Sequence, residues 1–175
     1  MKVLIVDTET SQLVSTLPLE NFHILQLSWV VYDTDTKISE ENDFILHCPI
    51  PITNSHIHRI TDEMSAEGYQ FSEIIDIFLE DVELCDILCG YHLNYDLNSL
   101  EIELDRLARY HDIDILFSKK HIDPIKRYSS LNKCKYMKLT DLYYKLFGET
   151  LEGAHNALID VFGTLRIYLT LNNQF

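Results

Sequence analysis

Val3-Leu4-Ile5-Val6 is an unbroken apolar run at the start of the chain, followed at once by Asp7 and Glu9. Such a run reads as a buried β-strand. Side chains alternate faces along a strand, so residues 7 and 9 share one. Two carboxylates side by side repel, and each is costly to desolvate unless a cation lies between them. A solvated strand end tolerates the pair, and so does half of a metal site. The pair alone leaves both readings open.

The next two segments extend the β pattern. HILQLSWVVYDTDTK, residues 23–37, is a long apolar and β-branched run that ends in the turn signal Asp33-Thr34-Asp35. SEENDFILHCP follows as its expected hairpin partner, stopped by Pro49 and Pro51. Helical and strand patterns then alternate. Phe71, Ile74, Ile75, Phe78 and Val82 give one helical stripe, and DILCG reads as a short buried strand. Leu97, Leu100, Leu104 and Leu107 mark an amphipathic helix that Asn94 or a neighbour caps. One more strand is expected near Ile122. LTDLYYKLFG reads as a helix with Thr140 as its N-cap and Gly148 at its end. A last helix carries Ala157, Leu158, Val161, Phe162, Leu165 and Leu169. Three leading strands followed by alternating helices and strands make a mixed-sheet α/β or α+β layer fold.

No repeat or linker interrupts this order, so residues 1–175 are expected to form a single domain, large enough to bury a core without staples. No apolar run approaches membrane-spanning length, which predicts a protein with no membrane contact. Cys48, Cys85, Cys89 and Cys134 lack a disulfide framework and read as free thiols in a reducing cytoplasm. The net charge of −14 argues at first against a polyanionic ligand. The charge is polarised, however. Lys119, Lys120, Lys126, Arg127, Lys133, Lys135 and Lys138 face a single acid, Asp123, so this span is locally +6 and the remainder −20. A basic segment that also carries Tyr128 and Tyr136 can grip an anionic polymer, or be a solvated loop.

Acids adjoin element tips twice more. Asp96 lies just past the DILCG strand, and His155 precedes Asp160 by five residues. Five helical positions turn through about 140°. If both act at one site, His155 belongs at or before the helix start and Asp160 one turn in, facing the sheet. Four carboxylates and a histidine suit two-metal phosphodiester hydrolysis. Oxygen ligands select Mg²⁺ or Mn²⁺, paired ions stabilise attacking and leaving oxygens, and an imidazole can take the proton of the attacking water near neutral pH. Cations would also reconcile an acidic chain with a phosphate substrate.

On these residues the sequence resembles the DEDDh 3′–5′ exonucleases, a family that includes the proofreading ε subunit of bacterial DNA polymerase III and RNase T-like RNA-trimming enzymes. Asp7-Thr8-Glu9-Thr10 is similar to the family's first motif, GYHLNYDLNSL to the second and HNALID to the third, while IHRIT is similar to a His-Gly-Ile-Thr segment between them. The resemblance implies an RNase H-like fold with a five-stranded mixed sheet flanked by helices. It implies that Asp7, Glu9, Asp96 and Asp160 hold two divalent ions, Mg²⁺ with Mn²⁺ able to substitute, and that His155 is the general base. Thr10 and Tyr95 fall beside the terminal nucleotide, and Lys133, Lys135 and Lys138 are expected to bind the strand. The implied activity is release of nucleoside 5′-monophosphates from single-stranded 3′ ends, DNA favoured, with a replication or repair polymerase as a possible partner. Three departures stand out: Ser11-Gln12 in place of Thr-Gly, Tyr91-His92 in place of His-Asn, and Arg59 in place of Gly.

Other readings are an RNA-trimming exoribonuclease of the same fold and a non-catalytic nuclease-like binding module. A haloacid-dehalogenase-type phosphatase is a further rival, but Glu9 stands where its second Asp belongs. That chemistry would not need His155. His56, His58 and His92 with Cys48 match no structural zinc spacing.

Overall fold

The computed structural model describes residues 1–16 and 18–173. Its centre is a five-stranded sheet in the order β3-β2-β1-β4-β5. The strands are β1 (Lys2–Thr10), β2 (Ile24–Asp33), β3 (Ser39–Ile45), β4 (Ile87–Cys89) and β5 (Lys120–Ile122). β1 and β2 pair antiparallel, as do β2 and β3, whereas β4 runs parallel to β1 and β5 parallel to β4. Between β3 and β4 lie α1 (Ser55–His58), α2 (Asp62–Ala66) and α3 (Phe71–Leu84). Between β4 and β5 come α4 (Leu93–Arg106) and α5 (Tyr110–Ser118), and α6 (Pro124–Asn132), α7 (Leu139–Phe147) and α8 (Ala157–Asn173) complete the chain.

Strand position follows composition. β1 and β2, apolar nearly throughout, take the middle and are covered on both faces. β3 (SEENDFI) is polar and lies at the edge, where its acids discourage pairing with a second sheet. On one face Leu4, Val6, Leu27 and Trp29 pack with Phe78 of α3 and Leu97 and Leu100 of α4. On the other, Val3, Ile5 and Val30 pack with Val161, Leu165 and Tyr168 of α8. Each fully buried aliphatic side chain contributes roughly 1.5–3 kcal/mol, so cutting Leu4 to Ala would cost about 2–5 kcal/mol. A third cluster joins Tyr91 to Ile125, Leu142 and Ile167, binding α6 and α7 to α8. It brings Tyr136, Met137 and Lys138 to one cavity with His155 and Asp160.

Most expected elements occur, with shifted ends. Thr140 is not a cap: α7 begins at Leu139, Lys138 holds the N-cap position and no side chain caps it. Asn94 likewise lies inside α4, whose N-cap is His92. Leu107 ends α4 and is 40% exposed, and Phe162 points outward at 38%, so neither belongs to its predicted core stripe. The short helices α1 and α2 and the separate α5 and α6 carry too few turns to show a clear apolar period. Gly148 closes α7 at φ 70°, as its composition predicts. Gly90 has a different reason: a Cβ there would lie 3.0 Å from the Val6 carbonyl oxygen. All four cysteines are free thiols. Among the described residues, no helix is long and apolar enough to cross a membrane.

Candidate active site and metal centre

Asp7 and Glu9 share the face of β1 that also carries Val3 and Ile5, opposite Ser28 and Gln26 of β2. The other residues arrive from both sides of the sheet. α4 packs under the Leu4–Val6 face and presents Asp96 in its first turn, 2% exposed. Thr8 holds that carboxylate twice, its backbone N–H and its hydroxyl each donating to Asp96 Oδ1 at 2.9 Å. α8 packs on the opposite face and presents Asp160 in its first turn. The Gln26 side chain receives the Ala157 N–H at 3.2 Å and donates to Asp43 at 2.7 Å, tying the start of α8 to β2 and β3.

His155 precedes the helix, as its spacing from Asp160 requires, and takes a left-handed backbone at φ 69°. Its N–H donates to Asp160 Oδ2 at 3.1 Å, which leaves Asp160 Oδ1 buried with no partner. Ligand-capable atoms of Glu9, His155 and Asp160 lie within 4.8 Å of one another, and no other group of three such side chains occurs among the described residues.

The carboxylates are electrostatically strained. Burial, reinforced by the charges of Asp96, Asp160 and Glu9, holds the Asp7 carboxyl well above the usual carboxylate range. Glu9 is pushed up to about 8, by burial first and then by Asp160 and Asp96. Asp96 also rises to about 8 through burial, against the pull of the Thr8 hydrogen bonds. Burial raises Asp160 to about 6, against the favourable His155 amide. Four acids that resist ionising together, beside an orphaned carboxylate oxygen, fit oxygen-coordinated divalent cations.

The remaining candidates separate. Thr10 and Tyr95 meet through their hydroxyls at 2.6 Å and line a cavity of about 370 Å³ with Glu9, Leu13, Asn54 and His58. Lys138 lines a second cavity of about 860 Å³, shared with His155 and Asp160, while Lys133 and Lys135 are exposed and line neither. Part of the basic segment is structural: Lys119 donates to the carbonyls of Glu83 and Cys85, Lys126 faces Asp123, and Arg127 bonds Asn172.

The departures from the family pattern have local explanations. Ser11 Oγ donates to the Asn21 carbonyl and receives the His23 N–H, and the Gln12 amide reaches the carbonyls of Thr16 and Pro18. Side chains therefore hold this loop where glycine would leave it free. Tyr91 OH donates to the Met137 carbonyl at 2.7 Å, and the His92 ring lies 4.2 Å from that of Tyr136. Sequence reading missed the supporting roles of Thr8, Gln26 and Tyr136, because their partners are 88, 131 and 44 residues away.

The exonuclease (RNase_T) family profile matches residues 4–168. No curated protein matches the sequence significantly. Among solved structures, a full-length 3′-exonuclease superposes with a TM-score of 0.78 at 20% identity, covering 99% of this chain and 60% of that one. A 3′-exonuclease described in 3′-end specific recognition of a histone mRNA stem-loop gives 0.76 at 18% identity, covering 97% of this chain and 63% of that one. The nuclease domain of 3′hExo, a DEDDh family member bound to rAMP, gives 0.70 at 17% identity, covering 99% and 92%. The chain thus spans less than two thirds of the first two. The sheet order, the helices on both faces and the family match agree: this chain belongs to the exonuclease family and has an RNase H-like fold.

Proposed function

We propose that the protein is a 3′–5′ exonuclease that hydrolyses the last phosphodiester of a single strand and releases nucleoside 5′-monophosphates, using two divalent ions. The observation that carries this reading is the buried, unpartnered Asp160 Oδ1 beside Glu9 and His155. Asp7, Glu9, Asp96 and Asp160 would hold the ions, Mg²⁺ or Mn²⁺ by donor type. When bound, the ions supply charge to stabilise the attacking and leaving oxygens. Thr8 orients Asp96, and the His155 amide orients Asp160. The His155 imidazole, exposed at the mouth of the larger cavity, takes the proton from the attacking water. Thr10 and Tyr95 flank the terminal nucleoside, and Lys133, Lys135 and Lys138 meet the strand.

Resemblance to the proofreading ε subunit favours DNA and a polymerase partner. The second reading, an exoribonuclease, is favoured by the neighbours described with histone mRNA and rAMP. Free thiols suit a cytoplasmic setting. End-labelled single strands of DNA and RNA, incubated side by side with Mg²⁺, should shorten from the 3′ end and yield 5′-monophosphates. Asp7→Ala should abolish the ladder, and His155→Ala should slow it by about 10²–10⁴-fold. Cutting of a circular single strand, or full activity in Asp7→Ala, overturns the reading.

A further inference from the structure

A phosphodiester joins two nucleosides, so a scissile bond at the carboxylates needs room on both sides. Two cavities adjoin the carboxylates, one lined by Glu9 and the other by Asp160 and His155. The one lined by Thr10 and Tyr95 measures about 370 Å³, and the one lined by Tyr136, Lys138, His155 and Asp160 about 860 Å³. The smaller suits the single nucleoside that is released. The larger, more than twice the size, suits a strand that continues.

The walls of the larger cavity suit nucleobases. Tyr136 is 40% exposed and lines this cavity beside His155 and Asp160. The exposed His92 ring lies beside it, tilted at 52°. The backbone that carries each ring is constrained. His92 takes a left-handed backbone at φ 65°, a conformation that costs energy for any residue with a Cβ and persists only where the surroundings enforce it. The Tyr91 hydroxyl fastens the carbonyl of Met137, the residue next to Tyr136, so the Tyr136 loop is tied to the start of α4. Lys138 follows two residues on and lines the same cavity. A rigid aromatic step with a cation at its edge is the arrangement on which stacked bases and their phosphates sit.

Resting on the exonuclease reading, we propose that this cavity seats the nucleotides upstream of the scissile bond, with bases stacked on Tyr136 and His92 and a phosphate paired with Lys138. Stacking uses the π-face of any base, so the contact ignores base identity and sugar. It requires bases freed from a duplex. An upstream nucleotide held in this way also fixes the scissile phosphate against the carboxylates, so its loss should act on cleavage as well as on binding.

The test uses two single strands that differ only at the penultimate position, one intact and one abasic. Wild-type protein should cleave the abasic strand with a kcat/KM about 5- to 150-fold lower, the scale of one lost base–aromatic stack. Tyr136→Ala should lose a similar factor on the intact strand and nothing further on the abasic one, while Tyr136→Phe should behave as wild type. Equal cleavage of both strands by wild type overturns the proposal, as does an equal Tyr136→Ala loss on both. Fluorescence anisotropy with Ca²⁺ in place of Mg²⁺ measures the same preference without turnover. A binding preference that Tyr136→Ala removes, without any shortening by wild type, upholds the cavity and overturns the exonuclease reading instead.

Discussion

Arg59 sits at φ 66°, ψ 6°, the left-handed conformation that closes α1. The related family segment carries glycine there, and only glycine adopts this region without a Cβ clash. Arg59→Gly should therefore raise stability by about 0.5–1 kcal/mol after glycine's larger unfolded-state entropy is subtracted. The urea midpoint reads this, and an unchanged or lower midpoint would show that the arginine side chain compensates. The catalytic candidates illustrate how a single residue is legible. Asp160 is visible in the sequence because its helical neighbours Ala157 and Val161 are apolar and buried, so an acid at that place needs a partner. Thr8 carries no comparable sign. Its hydroxyl matters because Asp96, 88 residues later, arrives against it.

The basic segment from Lys119 to Lys138 spans β5, α6 and the start of α7, and its charges do not act alike. Lys119 and Arg127 are consumed by the fold, whereas Lys133, Lys135 and Lys138 stay exposed on the loop between α6 and α7. Neutralising those three should weaken strand binding and flatten its salt dependence. Each lost phosphate contact lowers the slope of log K against log salt by about 0.7 on a single strand. Lys138 should account for most of the change, since it alone lines the site cavity. Anisotropy titrations at several salt concentrations test this, and an unchanged slope would return the loop to ordinary solvated surface. Element type was legible wherever an apolar period runs for several turns, as in α3 and α8. Boundaries were not, because the ends are set by backbone geometry such as the left-handed His92 before α4.

Across the whole molecule the carboxylates set a link between pH and stability. Glu9 and Asp96 titrate near 8 in the folded protein and Asp160 near 6, all above their ordinary values of 4.5 and 3.8. The folded state therefore binds more protons than the unfolded state between those limits, and stability must fall as pH rises through the window. Metal-free protein should show a Tm that declines from about pH 5 to pH 8, as the raised carboxyls lose protons that folding favours. Saturating Mg²⁺ should remove the decline and raise Tm at pH 8, because a ligand that binds only the folded state stabilises it. Thermal melts across pH, with chelator and with Mg²⁺, decide the matter. A metal-free Tm independent of pH would mean that the four acids are not held together in solution.

By itself the sequence determined the leading strands and the helices with long apolar periods, and it nominated the acids with His155, because periodicity and motif spacing are local properties of a chain. Tertiary structure alone decided that Asp96 and Asp160 reach Asp7 and Glu9 from opposite faces of the sheet. It alone decided which lysines remain free and that Tyr136 and His92 form one aromatic wall beside the site. These are contacts between residues tens of positions apart, and only packing of the helices against the sheet brings them within reach.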